Sequence, residues 1–249
     1  MEPVLAIIAL VPGLAVGSFL GVAAARMPLR RSVVHPGSAC MSCAAPIAWY
    51  DNVPLVSYAL LRGRCRRCAA FIPPRDPAIE LAFALLLAGC ILAFGLTAEA
   101  AAAAIFCGAL VVVTATDLER RIVPNRVVLP AVAAVLVLRT IADPSPEWAL
   151  GALAASGALF LVAFGYPGGM GMGDVKLALL LGAMLGRTVG IALMLALILA
   201  FVPSAALLVR HGRRARKLAI PFAPFLAAGA VIALFAGQRL LDLYLGGMT

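Results

Sequence analysis

Two aspartates stand where an apolar chain can least accommodate them. Asp117 closes a run of small and β-branched residues in VVVTATDLERRIVPN, and Asp174 opens another apolar run in GMGMGDVKL. Ionisable groups at membrane depth are costly, and by default they mark a pathway or an active site. Two acids from separate helices at one depth can perform hydrolysis, one ionised to activate water and the other protonated to donate to the leaving group. Held close, they would share a single proton. Periodicity alone does not bring together residues fifty-seven positions apart, and Asp117 also reads as one charge in a basic loop with Arg120 and Arg121.

The stretch before Asp174 strengthens the case for that residue. Gly168, Gly169, Gly171 and Gly173 fall within six residues, which frees the backbone and removes side-chain bulk. Gly171 and Gly173, with Lys176 just beyond, are therefore candidates for the path by which a substrate backbone reaches Asp174. The other acids offer less. Glu80 enters a span behind Pro77, Glu119 sits among arginines, and Asp51 and Asp76 belong to a polar segment. Neither His35 nor His211, both in basic loops, gives a serine or cysteine a partner, so nucleophilic catalysis is unsupported.

A second constellation is made of cysteines. Cys40 with Cys43 and Cys65 with Cys68 form two C-x2-C knuckles separated by twenty-one residues. Four thiolates so arranged suit a tetrahedral zinc, and four protein ligands leave no open position for chemistry, so the role is structural. The other arrangement is two disulfides, which tight knuckles strain and a reducing compartment opposes. Trp49 to Tyr58 between the knuckles reads either as a recognition loop or as an aromatic turn packed on a small metal core. Cys90 and Cys107, inside apolar spans, read as small core residues.

These residues must be positioned by membrane helices. Of 249 residues 64% are hydrophobic and 12% charged, far from the balance of a soluble domain. Apolar runs at 4–25, 78–94, 98–116, 127–142, 148–165, 175–185, 188–209 and 220–245 predict an all-α polytopic membrane protein of about eight transmembrane helices. The run at 175–185 is short, so it either starts within the glycines or crosses a thinned region. A first helix over 1–25, a four-cysteine domain over 26–76 and a seven-helix catalytic domain over 77–249 follow. The first run lacks the basic start of a secretory signal and is expected to remain as a helix.

Charge sets the orientation. Seventeen of the twenty lysines and arginines lie in the segments 26–76, 117–126, 174–176 and 210–217, which share one side if there are eight spans. The positive-inside rule then puts the N-terminus outside and the cysteine domain, Asp117 and Asp174 at the cytoplasmic face. Because the basic residues are dispersed in short loops, a bilayer rather than nucleic acid is the expected partner.

The motifs occur together in a recognisable order: GSFLGVAAARMP, the two knuckles around DNVPLVSYALLRG, RDPAIE, TDLERRIVPN, GMGMGDVKL and IPFAPFLAAG. In this the chain resembles the bacterial type IV prepilin peptidase family over nearly its whole length. The resemblance implies a membrane aspartic protease with Asp117 and Asp174 as its catalytic pair. It also implies cleavage of a prepilin, or of a type II secretion pseudopilin, behind a short basic leader. S-adenosylmethionine-dependent N-methylation of the new terminus follows in many members, as does a cytoplasmic zinc domain. Three positions depart from the family pattern: Gly21 replaces a common asparagine, Asp76 a usual tyrosine, and Ala223 a frequent glycine. The competing classes are a proton-coupled transporter, whose acids belong at the midplane, and a membrane scaffold presenting a zinc module.

Overall fold

The computed structural model describes residues 2–35, 37–166, 170–212 and 220–246. Gly168, Gly169 and the basic run at 213–217 lie outside the described residues, as does the side chain of His211. The described residues form nine α-helices: α1 (Glu2–Arg26), α2 (Val56–Leu60), α3 (Arg75–Phe94), α4 (Ala98–Arg120), α5 (Asn125–Ala142), α6 (Glu147–Gly165), α7 (Met172–Leu185), α8 (Val189–His211) and α9 (Ala223–Gly246). Two isolated bridges, Ala39 with Pro46 and Arg64 with Phe71, are the extended pairings among them. Lipid leaves every backbone group to be satisfied within its own segment, and helices do so.

Among the described residues, seven stretches are long and apolar enough to cross a bilayer. The eight expected helices are present as α1 and α3 to α9, and α7 and α8, which a single 3₁₀ turn at Gly186–Thr188 joins, form one of those seven runs. With 14 residues, α7 reaches only roughly 21 Å against a hydrocarbon core of about 30 Å. It begins at Met172, inside the glycine stretch, and residues from Val175 to Leu185 are mostly buried. A helix surrounded by protein has no lipid thickness to match.

The chain divides into two compact units, Met1–Leu96 and Thr97–Thr249. In the first, α1 packs on α3 through glycines. A Cβ on Gly13 would lie 2.8 Å from Ala84 Cα, and one on Gly17 would lie 2.7 Å from Glu80 Cα. Such small-residue seams bring helices together where lipid supplies no hydrophobic drive. The cysteine segment belongs to the same unit, and Leu55 N–H donates to Glu80 Oε2 at 2.9 Å. Leu55 holds φ at 57°, an unusual value for a branched residue, and this bond across twenty-five positions helps to hold it there.

In the second unit, α4 and α7 are the most buried helices, and α7 touches α4, α5, α6, α8 and α9. Gly182 and Gly151 join α6 to α7 so tightly that a Cβ on Gly182 would fall on the Gly151 carbonyl and 2.6 Å from Ala152 Cα. Gly229 lets α9 reach the backbone of Ala192 and Ala196 in α8. At the far ends of α4, α5 and α6, buried Arg139 pairs with Glu99 and lies 3.7 Å over the Trp148 ring. The Trp148 indole donates to Asp143 O at 2.9 Å, so three helix ends are tied at one place.

Candidate active site and metal centre

Asp117 occupies the last turn of α4 and is 6% exposed. The helix stops there because Arg121 turns left-handed, with φ 55°, and donates its N–H back to Asp117 O at 2.9 Å. The Asp117 side chain accepts a hydrogen bond from the Ala223 backbone N–H, 3.2 Å from Oδ2, at the start of α9. Asp174 lies in the first turn of α7 and is half-buried. Its N–H donates to Gly171 O at 3.0 Å, which closes the helix start on the glycine before it. The structure thus brings Asp117 and Asp174 within electrostatic reach of one another, from the end of one helix and the beginning of another.

The segment between α4 and α5 completes the surroundings. Lys176 Nζ donates to Asn125 Oδ1 at 3.1 Å, linking the GMGMGDVKL and TDLERRIVPN motifs directly. Gly173 faces Val123, and a Cβ there would lie 2.8 Å from Val123 Cβ. Its missing side chain therefore makes room for the chain's own loop. Gly171 is exposed, and a Cβ on it would sit 3.7 Å from Asp174 Oδ2, an ordinary contact. Of the residues singled out for substrate approach, Gly171 keeps an open face beside the carboxylate, whereas Gly173 and Lys176 are engaged internally.

The sequence did not reveal the contact of residue 223. IPFAPFLAAG stands out as a motif, yet the group that reaches Asp117 is a backbone N–H that no residue type encodes. The available signal was Pro221 and Pro224 on either side, which place a helix start between them. The other departures from the family pattern are explained locally or left open. A Cβ on Gly21 would meet nothing within 4 Å, and Asp76 accepts from Arg75 Nε at 3.2 Å at the beginning of α3.

The four cysteines Cys40, Cys43, Cys65 and Cys68 meet in the first unit, with all sulfurs within 4.8 Å of one another and Cys40 Sγ 3.7 Å from Cys68 Sγ. Ligands about 2.3 Å from a tetrahedral zinc stand about 3.8 Å apart, so the cluster fits that ion. The knuckles are built alike. Cys40 N–H donates to Ala45 O and Ala44 N–H to Cys40 O, and Cys65 and Ala69 repeat this with Ala70 and Cys65. Ala44 and Ala69 both adopt positive φ to close their turns. Backbone N–H groups of Cys43 and then Ser42 pull the Cys40 thiol down to about 6. At Cys68 the Ala70 N–H also favours the thiolate, but burial and the neighbouring thiols outweigh it and push the group up to about 12. A divalent cation would release those shared protons.

The inter-knuckle loop is tied to the second knuckle through Arg66. Arg66 binds Asp51 through Nε at 2.8 Å and Nη2 at 2.6 Å, and its guanidinium lies 5.7 Å from the Tyr50 ring centre. This guanidinium holds the Asp51 carboxyl below its ordinary range. The ion pair fixes the turn, while its aromatics stay outside any core: Trp49 is 83% and Tyr50 54% exposed.

Taken together these features define a class: a polytopic helical membrane protein with two buried or half-buried carboxylates in one unit and a four-thiol cluster that could hold a metal in the other. Residues 11–94 match the bacterial peptidase A24 N-terminal domain, and residues 104–209 match the type IV leader peptidase family. The chain is 33% identical to a prepilin leader peptidase/N-methyltransferase of Bacillus subtilis, across 94% of this chain and 95% of that protein. Proteins of the same description from Burkholderia pseudomallei and Pseudomonas aeruginosa are 35% and 33% identical, over 96% and 94% of this chain and 87% and 91% of theirs. The chain belongs to the type IV leader peptidase family. No solved structure matches it.

Proposed function

We propose that this protein is an aspartic endopeptidase that removes the short basic leader from type IV prepilins or type II secretion pseudopilins, with Asp117 and Asp174 as its catalytic pair. The observation that carries this reading is the convergence of two carboxylates from the ends of α4 and α7, inside a chain whose relatives are prepilin leader peptidases. The two carboxylates share one proton. The ionised partner takes a proton from water as the oxygen attacks the scissile carbonyl, and the protonated partner donates to the departing amine. The apolar segment of the prepilin docks among the helices, and Gly171 leaves its backbone room beside Asp174.

The loop charges support a location in the bacterial inner membrane with the N-terminus outside and the cysteine module and carboxylates at the cytoplasmic face. A zinc ion held by Cys40, Cys43, Cys65 and Cys68 would serve as a structural staple for a segment too small to hold a core of its own. The names of the relatives support a second activity. In it the new N-terminal amine accepts a methyl group from S-adenosylmethionine and gives up a proton, leaving S-adenosylhomocysteine.

The test is cleavage of a purified prepilin in detergent, read as a leader-sized loss of mass. Asp117→Asn and Asp174→Asn should each abolish it while eluting as folded protein. Substantial cleavage by either variant would sink the assignment. Adding labelled S-adenosylmethionine to the same reaction should mark the mature pilin, and an unlabelled product would remove the second activity. Neither rival class, transporter or scaffold, accounts for a shortened pilin.

A further inference from the structure

The first turn of α9 has few backbone donors, and each can be followed to its acceptor. Pro224 has no N–H. Phe225 and Leu226 both donate to Phe222 O, at 3.0 and 3.2 Å. That leaves Ala223, whose residue is fully buried and whose N–H goes to Asp117 Oδ2. A buried N–H without an acceptor is rare because water cannot reach it, and the first N–H groups of a helix have no partner within the helix. Asp117 has the reciprocal problem. It sits in the C-terminal turn of α4, where the helix presents unpaired carbonyls, the unfavourable end for a carboxylate. The start of α9 presents the opposite polarity at the same point.

We infer that the Ala223 N–H is a positioning group of the dyad, holding Asp117 by Oδ2 so that Oδ1 is the oxygen left to face Asp174, the water and the substrate. This rests on the reading of Asp117 and Asp174 as the catalytic pair. A carboxylate at the end of a side chain has a soft terminal torsion, and only a bond to one oxygen selects which of the two points into the site. Catalytic groups displaced by about an ångström lose roughly a hundredfold in rate. A backbone donor between two prolines is well suited to this task, because neither its length nor its rotamer can change.

The experiment removes the N–H in two ways, because an ester also makes Phe222 O a weaker acceptor for Phe225 and Leu226, whereas proline keeps it an amide carbonyl. Lactic acid placed at position 223 by nonsense suppression replaces the amide with an ester in the full-length protein. Ala223→Pro is a second variant without the N–H, at a helix position that proline favours, and Ala223→Gly keeps the N–H. The expected result is a kcat lower by about ten- to a hundredfold for both variants lacking the N–H, with KM within about twofold and an altered pH dependence of kcat. Ala223→Gly should remain within about twofold of the parent. An ester variant with parental kcat and pH profile would overturn the inference, as would a defect confined to KM. If Asp117→Asn and Asp174→Asn are inactive while the ester variant is fully active, only this inference fails. If either asparagine variant cleaves, the catalytic pair itself has been misassigned.

Discussion

At the scale of single residues, the glycines before Asp174 divide into different kinds. Gly171 is exposed beside the carboxylate, while Gly173 is the gap into which Val123 fits. Both are the same letter in the sequence, and only the neighbour distinguishes them. A Cβ at 173 would stand 2.8 Å from Val123 Cβ, so either the loop before Asn125 or the first turn of α7 must give way. Gly173→Ala should therefore lower leader cleavage by at least about tenfold, through displacement of Asp174 rather than loss of a reacting group. Val123→Ala in the same chain should restore part of that activity, because the two sites share one contact. Comparing kcat/KM for the two single variants and the double variant measures the coupling, and additive losses would show that Val123 is not the obstacle.

At the scale of elements, the order of contacts explains why a helix as short as α7 can be central. It is enclosed by α6 along the Gly182–Gly151 seam, where backbones touch with no side chain between them. Gly182→Ala would press a methyl group into the Gly151 carbonyl, and the expected outcome is a lower thermal midpoint in detergent with loss of cleavage. Gly157→Ala, on the same α6 but with nothing within 4 Å of the new Cβ, is the matched control and should leave both unchanged. The ends of α4, α5 and α6 are held by a charge. Arg139 is 8% exposed, and removing Glu99 would leave that guanidinium buried opposite only the Trp148 ring. Breaking one partner of a buried pair costs roughly 3–5 kcal/mol, and the partial exposure of Glu99 moves the expectation for Glu99→Ala below that, to about 2 kcal/mol. Chemical denaturation in detergent measures it, and Glu99→Asp should recover part of the loss.

At the scale of the whole molecule, the four thiols and the two carboxylates fall in different units. All four thiols lie in Met1–Leu96, and Asp117, Asn125, Asp174, Lys176 and Ala223 lie in Thr97–Thr249. The four-cysteine segment has little apolar core to stand on, so binding of a zinc ion there would be coupled to its folding. Purified protein should carry about one zinc per chain by elemental analysis. Cys43→Ser or Cys65→Ser should release it and open the segment between residues 40 and 68 to limited proteolysis. A segment that stays resistant without metal would show that the Asp51–Arg66 pair and the Leu55–Glu80 bond suffice to hold it.

The sequence by itself determined the membrane class, because apolar runs of spanning length admit no other reading, and it determined which four cysteines would cluster, because C-x2-C spacing is a local geometric rule. It also singled out Asp117 and Asp174 by the cost of a carboxylate in such surroundings. What it left undecided is everything that depends on which helices are neighbours. The sequence did not show that a single 3₁₀ turn joins α7 to α8, or that α7 is mostly buried and so need not match a bilayer. The pairing of Asp117 with Asp174, the filling of Gly173 by Val123 and the bond from Lys176 to Asn125 all join residues about fifty apart. The Ala223 N–H lies farther still, 106 positions from the carboxylate it holds. It belongs to the backbone, so its role is set by where α9 begins and what lies opposite, and tertiary packing alone decides both.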